Sequence, residues 1–167
     1  MKPNLTILVL LAIPFWSFAS EGFILKSGQG EELVNGLVIK ASPLTGTQRS
    51  ILVEQTFPLG GTTGLHLHEQ GDELFYVVSG GGLATLGDVE ESIGPGDVIF
   101  IPIDATHRIR NTDNKVPLVV MFFMDSPELV DQFRAMHERV TAEPNRPITQ
   151  EEMLEIEIKT GGGRAVN

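Results

Sequence analysis

Between residues 21 and 126 the chain is a series of short apolar segments separated by turn-forming residues, and this alternation limits the folds open to it. Glycine, proline, aspartate and asparagine mark turns at residues 60–61, 80–82, 87–88, 94–97 and 113–114. Apolar, strand-like segments lie at residues 37–39, 49–57, 73–79, 98–101, 107–111 and 117–124. Short strands at roughly 8–12-residue spacing are typical of a sandwich or barrel. Because no helix of adequate length fits before residue 126, the sequence predicts an all-β domain over residues 20–125.

The pattern changes after residue 125 and predicts a C-terminal helical extension over residues 126–160. Ser126 is a suitable N-cap and Pro127 a suitable first helical residue. Apolar residues then recur at helical spacing, at Leu129, Val130, Phe133, Met136 and Val140. Thr149 and Glu152 form the capping box of a second, short helix. Three glycines end that helix, and we expect residues 161–167 to form a flexible tail.

The N-terminus predicts export. Lys2 precedes an apolar run over residues 5–18, and small residues follow at Ser17 and Ala19. A basic start, an apolar segment and small residues at −3 and −1 are typical of a signal peptide, here residues 1–19, cleaved after Ala19. The alternative is a retained anchor, but the run is shorter than the ~20 residues that a spanning helix needs. We therefore expect a periplasmic or secreted protein, with no membrane association after cleavage.

The composition argues against one class of partner and excludes chemistry that depends on cysteine. The 167-residue chain has a formal net charge of −10, which argues against nucleic acid as a partner because phosphates attract clustered Lys and Arg. It contains no cysteine, which excludes disulfides, thiolate metal ligands and cysteine nucleophiles.

Three of the four histidines fall into a pattern that predicts a metal site. His66 and His68 are two residues apart, so on a strand both project from the same face. Residues 69–72 can turn the chain so that the next strand runs antiparallel and brings Glu73 beside the pair, and His107 is the remaining candidate ligand. Three neutral imidazoles and a carboxylate suit one divalent transition metal (Fe, Mn, Ni, Cu or Zn) rather than Ca or Mg. The alternative is that these are ordinary surface or core histidines.

The segment over residues 60–80 resembles the first motif of the cupin superfamily, G-x5-H-x-H-x3,4-E-x6-G. The motif is matched at Gly60, His66, His68, Glu73 and Gly80 with every spacing kept.

The second cupin motif, G-x5-P-x-G-x2-H-x3-N, is similar to residues 96–111. It is matched at Gly96, Pro102, His107 and Asn111, and Asp104 stands where the family commonly has glycine. Asp tolerates left-handed backbone better than most residues, so we expect the turn to be preserved.

The resemblance covers roughly residues 36–125 and implies a double-stranded β-helix, or jelly-roll, barrel with the ion inside its mouth. The C-terminal helices resemble the tail of small, single-domain quercetin-dioxygenase-like cupins. They are expected to act either as a lid over the mouth or, as we favour, as a packing element or dimer contact. The resemblance also implies a homodimer.

The function expected from this resemblance is a mononuclear metal oxygenase acting on a small organic compound, with Glu73 as both ligand and catalytic base. One alternative is a non-redox isomerase or lyase that uses the ion as a Lewis acid. Another is a non-catalytic protein that binds a metal or a small ligand. A fold resemblance does not choose among these, because function depends on the individual site.

Period-two alternation extends these expectations to the residues around the site. Counting from the histidines and Glu73, the inward residues are Phe75, Val77, Ile109 and Asn111, whereas Arg108 and Arg110 point outward. Candidates for a proton-transfer group near the ion are Glu54, Gln55, Asp72 and Tyr76. His137 is expected to face solvent.

Overall fold

The computed structural model describes residues 22–166, so the predicted signal peptide lies outside the described residues. Over this range there are eleven strands and two α-helices. The strands are β1 (Glu31–Glu32), β2 (Leu37–Ala41), β3 (Ile51–Phe57), β4 (His66–His68), β5 (Glu73–Ser79), β6 (Gly82–Leu86), β7 (Val89–Ile93), β8 (Val98–Ile101), β9 (His107–Asn111), β10 (Leu118–Met124) and β11 (Gly163–Ala165). The helices are α1 (Glu128–Ala142) and α2 (Gln150–Thr160). No helix within residues 22–166 has the length and apolar character needed to cross a membrane.

The strands form two antiparallel sheets, which confirms the predicted all-β jelly roll with C-terminal helices. In the described chain the larger sheet has the order β1-β2-β3-β10-β5-β8, and the smaller has the order β11-β4-β9-β6-β7. The chain crosses repeatedly from one sheet to the other, for example between β3 and β4 and again between β4 and β5. These crossings close the two sheets around a shared interior.

The core lies between the sheets because alternate residues of each strand point inward. On β5, Phe75 and Val77 are buried, whereas Leu74 and Tyr76 on the opposite face are exposed. Ile109 of β9 is fully buried. The predicted inward positions are therefore confirmed. Full burial of a side chain of this size contributes ~1.5–3 kcal/mol, so this alternation supplies much of the stability of the barrel.

Strand boundaries follow the predicted segments most closely where both composition and turns are clear. The segments predicted at residues 73–79, 98–101 and 107–111 are β5, β8 and β9. The hairpin of β6 and β7 was not predicted as strands, since β7 carries mostly exposed polar residues and only Ile93 is buried. β7 lies at a sheet edge, where apolar alternation is not needed, and the inward residues of β6 are the small Gly82 and Ala84, so neither strand carries a clear alternating apolar pattern.

The two helices pack against the barrel and against each other. Leu129 and Val130 of α1 are buried in the core. Arg139 of α1 donates to the carboxylate of Glu152 on α2 at 2.8 Å. The predicted capping box of Thr149 and Glu152 is present.

Two expectations about the C-terminal region are corrected by the structure. Gly163–Ala165 form β11 instead of a flexible tail, and pair antiparallel with β4 at the edge of the smaller sheet. His137 does not face solvent freely, because its Nδ1 atom accepts a hydrogen bond from the backbone N–H of Val34 at 3.2 Å. This hydrogen bond anchors α1 to the short 3-10 turn at Val34–Gly36.

Candidate metal centre

Three histidines from two neighbouring strands of the smaller sheet lie close together. His66 and His107 stand directly opposite each other in the pairing of β4 with β9, and their ring centroids are 4.1 Å apart. The ring of His68, on the same face of β4, lies 4.9 Å from His66 and 5.1 Å from His107. One potential ligand atom from each ring falls within 4.8 Å of the others. This spacing can hold a metal ion.

Backbone carbonyls orient two of the three imidazoles. Nδ1 of His66 lies 2.9 Å from the carbonyl oxygen of Gly64, and Nδ1 of His107 lies 3.0 Å from that of Ala105. A neutral imidazole in this position donates from Nδ1, which leaves the Nε2 lone pair free to bind a metal. Such a backbone partner is the usual way in which proteins set the tautomer and direction of a metal-binding histidine.

His68 is held differently, because neither of its ring nitrogens has a hydrogen-bond partner among the described residues. The side chain is nevertheless buried, with 4 % of its surface exposed. Buried polar atoms are normally satisfied, and an unpartnered one needs an explanation such as an ion. Nε2 of His107 and Oε2 of Glu73 are also buried and form no well-aligned hydrogen bond in the part of the chain described, although the two atoms lie close to each other. These orphaned atoms fit a metal site.

Glu73 reaches the histidines from the opposite sheet. Its Oε2 atom lies 3.1 Å from Nε2 of His107 and 3.4 Å from Nε2 of His68. The expectation that β5 would run beside β4 is therefore corrected: β5 pairs with β10 and β8 in the larger sheet, and Glu73 meets the histidines across the interior. All four predicted ligands are brought to one place, and their role in binding a metal stays a prediction.

Burial and mutual proximity shift the ionisation of these side chains. Burial would raise the pKa of Glu73, but the imidazoles of His107 and His68 outweigh it and lower the pKa to about 2. Burial, together with the like charges of His107 and His68, lowers the pKa of His66 to about 4. At neutral pH the centre therefore offers an ionised carboxylate and a neutral His66, which are the forms that bind metals.

The loop before β9 has the backbone geometry expected from the motif. Asp104 has φ +64°, so the aspartate does adopt the left-handed conformation at the position where glycine is common. Its N–H donates to the carbonyl oxygen of His68 at 2.9 Å, which ties the loop to β4. Gly80 has φ +79°, and a Cβ there would overlap the Pro117 backbone. The loop thus helps to position β9, which carries His107, and the turn at Gly80 helps to position β5, which carries Glu73.

Asn111 has a structural role at the end of β9. The side chain is buried, and its Nδ2 donates to the carbonyl oxygens of Phe57, Pro58 and Val116 at 3.0, 3.1 and 3.2 Å. Its Oδ1 accepts from the N–H of Asp113 at 2.8 Å. With both ends of its amide bonded to backbone, Asn111 joins the connection between β3 and β4 to the connection between β9 and β10.

A cavity of about 460 Å³ opens onto His66, His68 and Glu73. Its walls come from both sheets and from the C-terminal region, which contributes Leu129, Gln132, Phe133, Met136, Met153, Glu157, Gly163 and Ala165. The extension thus packs on the barrel and forms part of the cavity wall. Its action as a lid or as a dimer contact stays a prediction.

Only one of the four candidate proton-transfer groups faces this cavity. Gln55 lines it, on the inward face of β3. Tyr76 is half exposed on the outer face of the larger sheet. Asp72 accepts from the N–H of Ile103 at 3.0 Å, and Glu54 pairs with Lys40 at 3.3 Å.

Gln132 and Gly163 are the residues near the site that sequence reasoning missed. The amide of Gln132 bonds both backbone groups of Gly163, accepting from its N–H and donating to its carbonyl oxygen at 3.1 Å. A Cβ on Gly163 would lie 2.9 Å from Cε1 of His68. The available signal was that Gln132 shares the helix face of Leu129, Phe133 and Met136, which makes it a polar residue within an apolar stripe.

Comparison with known proteins identifies relatives of the barrel. Residues 53–124 match the family model described as the cupin domain. The chain is 39% identical over 70 residues to an uncharacterised protein of Methanocaldococcus jannaschii, covering 42% of this chain and 55% of that protein. It is 29% identical over 90 residues to an oxalate-binding protein of Thermotoga maritima, covering 54% of this chain and 73% of that protein. The match thus spans little more than half of the first relative.

Solved structures show the same barrel. A predicted oxalate decarboxylase from Thermotoga maritima aligns with a TM-score of 0.51 and 25% identity, over 54% of this chain and 78% of that one. A cupin 2 domain-containing protein from Halorhodospira halophila aligns with a TM-score of 0.51 and 26% identity, over 60% of this chain and 68% of that one.

Proposed function

Because the chain belongs to the cupin superfamily and brings three histidines and a glutamate together, we propose that it is an exported, metal-dependent cupin acting on a small organic compound. The ligands are His66, His68, Glu73 and His107, and the reaction is that of a mononuclear metal oxygenase. The observation that carries the proposal is the cluster of buried polar atoms on His68, His107 and Glu73 that form no well-aligned hydrogen bond, beside an open cavity.

The donor set supports one divalent transition-metal ion. Imidazole and carboxylate ligands suit Fe, Mn, Ni, Cu and Zn. Four protein ligands leave one or two positions open in a five- or six-coordinate ion, toward the cavity. When bound, a redox-active ion would supply the electron exchange between dioxygen and an organic substrate that no side chain here provides.

The protein's own residues prepare the site for this chemistry. The carbonyls of Gly64 and Ala105 hold the Nε2 lone pairs of His66 and His107 toward the centre. Oε2 of Glu73 is ionised at neutral pH, so it can serve as a ligand, whereas its lowered pKa makes it a weak proton acceptor. Most of the surface around the cavity is apolar, so a ligand bound there would displace water from the reacting groups.

Metal analysis and turnover test this proposal together. The purified mature protein is expected to contain one transition-metal ion per chain by elemental analysis. The metal-free protein, reconstituted anaerobically with Fe(II), Mn(II), Ni(II) or Zn(II), should consume oxygen with an organic substrate panel only when the ion is redox-active. Activity with Zn(II) would instead support the non-redox isomerase or lyase. Protein that takes up none of these ions would contradict the proposal.

A second candidate, a non-catalytic binding protein, is favoured by one specific observation. The Thermotoga maritima relative that is 29% identical over 90 residues is an oxalate-binding protein. The same centre could hold a small carboxylate through the ion without converting it. Tight ligand binding with no turnover across the metal and substrate panels would select this function.

We also propose that two copies associate through the outer face of the larger sheet. Phe123, Leu74 and Phe100 stand opposite one another across β10, β5 and β8, and each is at least 40 % exposed. Tyr76 and Val98 form part of the next row. Contiguous exposed apolar patches of this kind mark interaction surfaces, and a symmetric dimer would cover the same patch on both copies.

Solution mass measurements test the dimer. Light scattering on the parent protein should give twice the chain mass, and Phe100→Lys should give the single-chain mass because the charge would be buried without a partner. Val89→Lys, which changes an exposed position on β7 of the other sheet, should leave the mass unchanged. A parent protein of single-chain mass would contradict the dimer.

Export is tested by the mature N-terminus. Protein recovered from the periplasm or medium should begin at Ser20, which mass spectrometry can establish. Recovery of the intact chain in the cytosol would contradict the proposal.

A further inference from the structure

The wall of the cavity beside the histidines carries a charge pattern that restricts its ligand. Among the described residues that line it, the ionisable side chains other than histidine are Glu73 and Glu157, and there is no lysine or arginine. A divalent ion with neutral imidazoles would bring two positive charges, which these two carboxylates offset. The pocket is then close to neutral before any ligand enters.

This balance penalises a dianion. A charge moved from water into a partly apolar cavity loses hydration, and that loss is recovered only if a partner of opposite sign stands close by. A monoanion or a neutral molecule with one oxygen directed at the ion leaves little unpaired charge. A dianion such as oxalate would leave excess negative charge with no cationic side chain on the wall to meet it.

The shape and chemistry of the remaining wall indicate the body of the ligand. Phe75 and Phe122 contribute from the barrel, and Phe133, Met136 and Met153 contribute from the helices. A volume of about 460 Å³ is within the range of pockets that hold drug-sized molecules, and larger than a two-carbon acid requires. Methionine side chains adapt to flat or irregular apolar groups.

Gln55 provides a polar contact on this wall. Residues Ile51, Val53 and Phe57 share its inward face on β3 and are buried and apolar, so Gln55 interrupts an otherwise apolar face. Its amide forms no hydrogen bond with the rest of the described chain. It can therefore both donate to and accept from a polar group of a ligand.

We infer that the ligand of this cavity is a neutral or singly charged molecule with an aromatic or similarly bulky apolar body, oriented by one oxygen toward the metal and by Gln55. The inference rests on the proposed metal function and adds to it the class of substrate. By this inference, the ligand of this chain differs in charge and size from the small dianion that other proteins hold at a related site.

Four probe molecules separate the effect of ligand charge on binding from the effect of an aromatic ring. Benzamide is neutral, benzoate is a monoanion, phthalate is an aromatic dianion and oxalate is a dianion without a ring. Each is titrated calorimetrically into the Zn(II)-loaded protein, whose redox-inert ion allows binding to be measured without oxidative turnover. Benzamide or benzoate is expected to bind at least tenfold more tightly than phthalate and oxalate.

Substitutions at Gln55 make the test independent of probe choice. Gln55→Arg should place a cation on the wall and improve phthalate binding at least tenfold relative to benzamide. The matched control is Thr56→Arg, at the neighbouring residue whose side chain faces outward. It should leave the ratio of phthalate affinity to benzamide affinity unchanged. Gln55→Ala should weaken the binding of benzamide without improving the binding of phthalate. Because two different substitutions at Gln55 are measured, the inference can still be tested if one of the two variants fails to fold.

The outcomes distinguish the inference from the function beneath it. Protein that cannot be loaded with Zn(II) refutes the metal site, and the inference falls with it. Fully loaded protein that prefers oxalate or phthalate, or binds none of the four probes, refutes the substrate class alone.

Discussion

His107 and His68 contribute to the same centre but are positioned by different parts of the chain. His107 bonds a carbonyl two residues earlier, at Ala105, and His66 does the same with Gly64. His68 has no such bond, and its ring packs against Gly163, nearly one hundred residues later. The comparison shows that two imidazoles are oriented by their own loops, whereas the third depends on the C-terminal extension.

The arrangement around Gly163 explains how the extension can orient a ring without a hydrogen bond. Gln132 bonds both the N–H and the carbonyl oxygen of Gly163, so α1 holds β11 against β4. The absence of a side chain at Gly163 leaves space for the His68 ring. Orientation by packing is effective only while this strand stays in place.

The largest expected effect is loss of a ligand. His107→Ala removes an inner ligand, so metal affinity should fall by more than the ~100-fold that loss of an outer partner costs. Alanine variants of His66, His68 and Glu73 should behave alike, with activity lost as well. His137→Ala is the control, because His137 bonds the backbone of Val34 and should not affect metal content. Equal metal content in His107→Ala and the parent would contradict the assignment.

Gly163→Val tests whether the extension positions His68. The added side chain would collide with Cε1 and Nδ1 of His68, so metal affinity should fall ~10–100-fold, as for other groups that orient a ligand. Competition with a chelator gives the affinity, and the electron paramagnetic resonance spectrum of the Cu(II) form should change. Gly94→Val, in a turn with open space around it, is the matched control. An unchanged spectrum and affinity would show that β11 does not position His68.

Acidification of the metal-free protein tests the electrostatics of the centre. The unfolded chain takes up a proton on His66 below pH 6.5, but the folded protein does so only near pH 4, so stability should fall as pH falls through this window. The loss is at most ~3 kcal/mol and is reduced because the ring is partly exposed. Glu73 adds a further loss between pH 4.5 and about 2. Urea unfolding should show a flatter pH dependence above pH 4.5 in His66→Phe than in the parent.

The smallest expected effect lies in the loop that joins β8 to β9. Asp104 adopts φ +64°, a conformation that costs an ordinary residue ~1–2 kcal/mol and glycine almost nothing. Asp104→Gly should therefore raise the free energy of unfolding by up to ~1 kcal/mol, partly offset by the greater freedom of glycine in the unfolded chain. Metal affinity should not change, since the backbone bond to His68 is kept. A loss of stability would show that the aspartate side chain contributes more than its backbone strain costs.

The sequence was sufficient to predict the parts of the molecule that depend on local pattern. Alternation placed Phe75, Val77 and Ile109 inside, and the capping box placed the start of α2. The spacing of His66 and His68 placed both rings on one face of β4. Each of these features depends on backbone geometry within a few residues, which is why a linear pattern can encode it.

Only the tertiary structure decided which distant segments meet. It placed β5 in the opposite sheet from β4, so Glu73 faces the histidines across the interior, and it converted an expected tail into β11 beside His68. Turn residues show where a strand ends but not which strand it will pair with. Pairing depends on how the whole chain best buries its apolar faces, and that is a property of the closed barrel and its helices together.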